Sequence, residues 1–363
     1  MEQSFRSVPI GTAIAREGDG NRPLRVVQWA TGNIGTRALR AVIDHPNLTL
    51  AGVYVHSDDK AGQEAGELCG RDPVGIRTTR ELDDILSLDA DCVLYMPLRF
   101  DLDDVCRILA SGTHIVTTRG EFHHPRTMDP AIRAAVEEAC ALGHTSIHST
   151  GSSPGFITEA VPLVLSSIQR RLDHLAIDEY ADLSQRNSPG ILFEIMGFGG
   201  PAGTFEEFRL AHVQSNFGPS LSALADALGL SLDSIEASGE VALARNPVTI
   251  AAGTIDAGTV AAQRITVSGM KDGRELMRFR PTWYCTGDLD ADWDLHSTGW
   301  HISVDGDAPL DIEMRFPVPL DRMSEVSPSY TANRAVNAIP AVCAAQPGIR
   351  TTVELPLIVP EFS

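Results

Sequence analysis

The sequence predicts an α/β chain of two domains: a doubly wound parallel sheet, then an α+β domain built on an open, mostly antiparallel sheet. Three observations point to it. The 363 residues exceed the roughly 100–200 expected of one domain. Up to Gly155, short apolar runs alternate with helical patterns, the signature of a parallel sheet wound by crossover helices. Beyond it, β-like runs alternate with Gly- and Asp-rich turns, and a long helical pattern returns only near the end.

Taken in order, residues 1–21 read as a polar leader, because Glu2, Arg6, Arg16, Glu17 and Asp19 interrupt any apolar stretch. Leu24–Trp29 is an apolar strand that feeds the turn Ala30–Gly35. In Thr36–Asp44, residues Ala38, Leu39, Val42 and Ile43 then share one helical face. Leu48–Val55 is the second strand, and Ser57–Gly75, Gly-rich and charged, reads as a long loop. Thr78 and Glu81 have capping-box spacing ahead of Leu82, Ile85 and Leu86. Cys92–Met96 is a strand bounded by Pro97. Asp101, Asp103 and Asp104 follow in what reads as the first turn of a helix, where carboxylates suit the positive end of the dipole, and Gly112 closes it. Thr113–Thr118 is the next strand, Asp129 and Pro130 open a helix ending at Gly143, and His144–His148 is a fifth strand. Five such repeats make the sheet doubly wound.

Residues 156–330 read as the second domain. Ile157–Arg171 and Leu221–Leu230 are helical, whereas Leu175–Tyr180, Gln263–Gly269, Arg278–Trp283, Trp300–Val304 and Ile312–Phe316 are strand-like. In Thr331–Ala345 one apolar stripe returns (Ala335, Val336, Ile339, Val342, Cys343), with a kink expected at Pro340. Residues 331–363 thereby complete the first domain, residues 22–155. No internal repeat is present.

Composition excludes several functions. Lys and Arg number 29 against 48 Asp and Glu, a net charge of −19, which repels nucleic acid and anionic membranes. No run approaches the ~20 apolar residues of a membrane span. The six cysteines are scattered without redox or zinc spacing, so a cytoplasmic protein with reduced thiols and no metal is expected.

The chemistry starts at Ala30-Thr31-Gly32-Asn33-Ile34-Gly35, an A-x-G-x-x-G turn between a first strand and a helix. Gly32 lets a pyrophosphate approach the backbone, Gly35 lets the helix pack on the strand, and the helix amides point at the anion. This is a Rossmann dinucleotide site. About 20 residues on, where the ribose is read, stand His56 and Ser57, then Asp58, Asp59 and Lys60. A hydroxyl and a lysine favour NADP and the two aspartates favour NAD, so NADP is expected to be accepted and dual use stays open.

Ligands of such sheets lie beyond the carboxyl ends of the strands. Those ends hold Met96-Pro97-Leu98-Arg99, then Thr118-Arg119-Gly120-Glu121, then His148-Ser149-Thr150-Gly151-Ser152-Ser153-Pro154-Gly155-Phe156. Met96, Pro97, Leu98, Thr118 and Gly120 are read as cofactor contacts. Glu121 is the candidate catalytic residue, since a carboxylate beside a nicotinamide holds ammonium or exchanges a proton with an amine. His148, Gly151, Ser153, Phe156, Thr158, Phe193 and Met196 are candidate substrate contacts, with Trp283 as further apolar wall; Asn337 is a candidate for the nicotinamide or ribose. His123 and His124, adjacent in the chain, face apart and do not form a metal pair.

The turn Trp29–Gly35, the loop Gly151-Ser152-Ser153-Pro154-Gly155-Phe156 and Val336-Asn337-Ala338-Ile339-Pro340 together resemble the 2,4-diaminopentanoate dehydrogenase family, which includes native NAD(P)-dependent amine dehydrogenases and is distantly related to dihydrodipicolinate reductase. The resemblance implies a homodimer whose second domain serves substrate binding and dimerisation. It also implies reversible oxidative deamination of an amine, or reductive amination of a ketone or aldehyde with ammonia, in which Glu121 matches the family's catalytic glutamate. The H-H-x-x-K motif of dihydrodipicolinate reductase is missing, because Pro125-Arg126-Thr127 follow the two histidines. No cation near the strand ends other than Arg99 and Arg119 offers to clamp a carboxylate, so a substrate lacking one is expected. Two other readings stay open: a reductase of a C=N or C=O bond that uses no ammonia, and a non-catalytic nucleotide sensor.

Overall fold

The computed structural model describes residues 22–203 and 207–362; the leader expected at residues 1–21 lies outside them. Among the described residues no helix is long and apolar enough to cross a membrane. The first sheet is all parallel. It is built from β1 (Leu24–Trp29), β2 (Leu48–Tyr54), β3 (Cys92–Tyr95), β4 (His114–Thr117), β5 (Ser146–Ser149) and, from the chain's end, a short strand at Gly348–Arg350. The order, from the C-terminal strand, runs through β5, β4, β3, β1 and β2, so the chain leaves β1 first to one side and later to the other. The crevice at that reversal is where such sheets bind ligands.

Both faces are covered, as all-parallel sheets require. Ala38, Leu39 and Val42 of α1 (Asn33–Asp44) pack on one face together with Ala335, Val336, Ile339 and Val342 of the long C-terminal helix Leu320–Cys343. The other face takes Ile85 of α2 (Leu82–Leu86), Val105, Ile108 and Leu109 of α3 (Leu102–Ala110), and Val136 and Cys140 of α4 (Pro130–Gly143). Asp101 and Asp129 cap α3 and α4, each accepting from two backbone amides.

After α5 (Val161–Ser166) the second sheet takes over. Its strands are β6 (Leu172–Asp182), β7 (Ser234–Leu243), β8 (Val260–Lys271), β9 (Arg274–Tyr284), β10 (Gly299–Gly306) and β11 (Leu310–Arg315), ordered β11-β10-β6-β9-β8-β7. Every neighbouring pair is antiparallel except β6 with β9. α6 (Glu207–Ala227) buries Val213, Leu221 and Leu224 on one face of this sheet. The other face carries ion pairs, with Asp178 held between Arg280 at 2.8 Å and Arg278 at 3.2 Å.

Five local expectations need correction. Residues 57–75 are an organised loop, because the Glu64 carboxylate accepts from the amides of Gly66, Glu67, Val74, Gly75 and Ile76. Thr78 and Glu81 form no capping box; Thr78 donates to Lys60 O at 2.5 Å, and it is Thr79 that bonds Asp84 of α2. The helix expected at Leu221–Leu230 begins at Glu207 and passes through Pro219, and the Ile157–Arg171 helix stops at Ser166. The C-terminal helix, α7 from here on, starts at Leu320, not Thr331, and continues through Pro328 and Pro340.

Candidate active site

At the end of β1 the backbone makes the expected turn. A Cβ on Gly35 would stand 2.2 Å from Ala30 O, so only glycine lets α1 lie this close to the strand. Gly32 is the opposite case: its φ is −72° and nothing lies within 4 Å of where a Cβ would be. The fold itself therefore leaves that space open. Gly32 also has no side chain to cap α1, so the amides of the first turn have no side-chain partner at the N-cap. An open cradle at uncapped helix amides fits a dinucleotide pyrophosphate. Asn33 accepts from Arg37 at 2.6 Å, and Ile34 packs into the α1 core.

Lys60 is drawn back over this turn, its Nζ donating to Thr31 O at 2.9 Å. Asp58, one of the two aspartates at the tip of β2, is occupied by Arg80. His56 stands edge-on to Tyr54, which stacks on Trp29 at 3.7 Å between centroids, and Ser57 is exposed beside it.

Across the crevice, Glu121 lies in the single turn Gly120–Phe122 after β4. Its carboxylate is paired with the guanidinium of Arg119, whose Nε donates at 3.2 Å and whose Nη1 reaches Leu98 O at 2.6 Å. Glu121 keeps 43% of its side chain exposed. A Cβ on Gly120 would lie 2.7 Å from Asn216 Cα, so a glycine here lets the Glu121 turn dock on α6. Met96 is half-buried against the α1 core, Pro97 is buried, Leu98 is 92% exposed, and Thr118 and Asn337 are half-buried.

Several candidate substrate contacts have structural partners of their own. His148 is buried in β5, its ring Nδ1 bonded to Arg350 O at 2.7 Å, and burial pushes its pKa down to about 4. It binds a proton more readily unfolded than folded, so the stability its neutral form contributes is present above pH 6.5 and is lost as pH falls towards about 4. We expect roughly 3 kcal/mol of that loss to disappear in His148→Gln, measured by urea unfolding across this pH range. Thr158 bonds Gly155 N at 2.9 Å and Ser220 at 2.6 Å. Ser220 in turn donates to Glu159, which also receives His123 at 2.6 Å and the Thr352 hydroxyl. Burial pushes the Glu159 carboxyl up, but His123, Ser220 and Thr352 outweigh it and hold the group below its ordinary range. Phe156 packs on Trp300, and Phe193 against Gly199 and Gly253. Gly151 lies against Thr331. His124 pairs with Asp226 at 3.1 Å; among the described residues no group of three His, Cys, Asp or Glu is gathered as metal ligands.

A cavity of about 530 Å³ lies between the second sheet, α6 and the start of α7. Ser152, Ser153, Met196 and Trp283, named from the sequence, line it. Glu179, Arg186, Arg209, His212 and Trp300 also line it and were missed. Two arginines on the walls mean that the absence of a clamp at the strand ends does not exclude substrate carboxylates. Glu179 left a signal: it follows Leu175 and Ile177 at alternating positions, a carboxyl where the pattern calls for an apolar residue. The cavity meets the first sheet at Ser152 and Ser153, just past β5. Along α6, its wall residue His212 lies one turn, about 6 Å of rise, before the Asn216 that touches Gly120.

Comparison with known proteins agrees with this architecture. Residues 26–112 match the dihydrodipicolinate reductase N-terminus. The chain is 28% identical over 349 residues to an amine dehydrogenase of Streptomyces virginiae, covering 92% of this chain and 96% of the relative. It is 35% identical over 173 residues to a 4-hydroxy-tetrahydrodipicolinate reductase of Synechococcus elongatus, covering 45% of this chain and 60% of the relative. An amine dehydrogenase structure from Mycobacterium smegmatis shares the two-domain fold, with a TM-score of 0.72 at 19% identity over 93% of this chain and 97% of that one. The model of the 2,4-diaminopentanoate dehydrogenase C-terminal domain matches residues 156–361, more than half of the sequence, and the chain belongs to that family.

Proposed function

We propose that the protein is an NAD(P)-dependent amine dehydrogenase that interconverts a primary amine with its ketone or aldehyde and ammonia, with reductive amination as the synthetic direction. One observation supports this most: a largely apolar cavity large enough for a small organic substrate opens at the carboxyl edge of the dinucleotide sheet, one helical turn from the Glu121 turn. The name of the Streptomyces relative points the same way. The nicotinamide cofactor, when bound, supplies or accepts hydride at the substrate carbon.

Gly32 and the first-turn amides of α1, with Thr31, Asn33, Ile34 and Gly35 around them, hold the cofactor diphosphate. Glu121 takes a proton from the nitrogen as ammonia adds to the carbonyl, and its charge stabilises the iminium cation. Arg119 fixes the carboxylate's position in the meantime. The walls from α6, α7 and the second sheet exclude water from the iminium.

We assign NADP as an accepted cofactor, with Lys60 and Ser57 meeting the 2′-phosphate and Arg80 neutralising Asp58. Lys60→Ala is expected to raise Kd for NADPH about tenfold, with Kd for NADH changed less than about twofold, in fluorescence titrations. Assembly as a homodimer belongs to the same reading. The activity is tested by following NADPH oxidation with a panel of small ketones and aldehydes, with and without ammonium. Turnover that needs both carbonyl and ammonium supports the reading; ammonium-independent turnover identifies a carbonyl reductase, and cofactor binding without turnover leaves a sensor.

A further inference from the structure

We propose that Glu179 is a second catalytic carboxyl of this site, the acid that expels water from the carbinolamine formed when ammonia adds to the carbonyl. This rests on the amine-forming reading above and adds a residue to it. Glu179 lies on β6 in the row that faces α6, and it lines the cavity. Its cross-strand neighbour Trp300 donates Nε1–H to its Oε2 at 2.8 Å, which fixes one oxygen of the carboxyl. Ser153, four residues past the end of β5, stands beside it, so the group occupies the end of the cavity nearest the dinucleotide sheet.

The two carboxyls differ in their surroundings. Glu121 is gripped by a guanidinium and partly exposed, the setting of a carboxylate. Glu179 is half-buried with Trp300 and Ser153 against it and, among the described residues, no guanidinium paired to it, and burial pushes its pKa up against the opposing effect of those two neighbours. The other titratable groups on these walls are Tyr180, Asp182, Arg186, Arg209, His212 and Tyr330, whereas the side chains that bond or shift Glu179 are Trp300 and Ser153. An acid and a base held apart in this way divide the proton transfers of an addition–elimination.

In the step itself, the carbinolamine nitrogen lone pair closes the C=N bond as the C–O bond breaks. The oxygen takes the Glu179 proton and leaves as water. Glu179, now a carboxylate, faces the iminium and recovers a proton from solvent before the next turnover. A preformed cyclic imine needs no such elimination.

The test compares kcat/KM for ketone amination with that for reduction of a five-membered cyclic imine in the same enzyme. In Glu179→Gln, which keeps the side chain's size, the ratio of amination to imine reduction is expected to fall about 100-fold. The alkaline limb of the wild-type kcat profile for amination should disappear with it. An equal fall in both reactions, as loss of packing would produce, overturns the proposal. If the cavity refuses the cyclic imine, the alkaline limb decides, and its persistence in Glu179→Gln overturns it. A wild-type enzyme that consumes no ammonium with any carbonyl instead overturns the amine-forming reading itself.

Discussion

Glu121→Gln is expected to lower kcat for reductive amination by about 10²–10⁴ while leaving Kd for NADPH within about twofold. The glutamine is nearly isosteric and its amide oxygen still accepts from Arg119 Nε, so the docked turn after β4 should be retained. The negative charge and the ability to take a proton from the attacking nitrogen are lost. Arg119 also keeps its positive charge with its carboxylate partner gone, beside the place where the iminium cation develops. Stopped-flow and steady-state measurements with saturating NADPH separate the two parameters. An unchanged kcat removes Glu121 from the mechanism, whereas a large loss of NADPH affinity makes it a cofactor residue.

The second large effect lies at the phosphate turn. Gly32→Val is expected to weaken NADPH binding by at least about 100-fold, or about 2.7 kcal/mol, with little change in thermal stability. A φ of −72° is ordinary for valine, and the space its side chain would take contains no protein atom within 4 Å of the Cβ. The substitution costs the fold only the difference between glycine and valine at an N-cap, about 1 kcal/mol. The diphosphate, however, needs that volume. Gly35→Val provides the contrast: its Cβ would meet Ala30 O at 2.2 Å, so it should lose the fold along with the cofactor. Calorimetric titration and thermal unfolding of the two variants distinguish a filled cradle from a broken turn. Undiminished NADPH affinity in Gly32→Val would move the cofactor elsewhere.

Much of the first domain was legible because its signals are local. An apolar run, a glycine-rich turn and a helical face within twenty-one residues, Leu24–Asp44, specify β1, the turn and α1 without reference to the rest of the chain. Caps at Asp101 and Asp129 are equally local, and so is a carboxylate placed two residues past a strand-end Arg119 turn. Helix starts were read less well. α6 begins at Glu207 and α7 at Leu320, each a turn or more ahead of the apolar stripe that marked it, and both run through prolines. Packing against the first sheet through Ala335, Val336 and Ile339 offers α7 a compensation that local propensity does not include.

The full lining of the cavity was illegible for a different reason. Its walls come from β6, β8, β9, β10, α6 and α7, which meet only when strands distant in sequence pair. Phe156 and Phe193 lie half-buried against the core of the second domain, and Thr158 sits in a buried hydrogen-bond chain. Glu179 left only a local trace, a carboxyl in an inward-facing row, and β6 places Asp178 next to it with its own arginine partners on the opposite face.

The central claim is that nitrogen from ammonium becomes bonded to the carbon that receives hydride. Incubating the enzyme with an accepted ketone, NADPH and isotopically labelled ammonium, and identifying the product by mass spectrometry, tests it most directly. Labelled amine equimolar with the NADPH consumed is the expected result. Unlabelled alcohol formed at the same stoichiometry would contradict it.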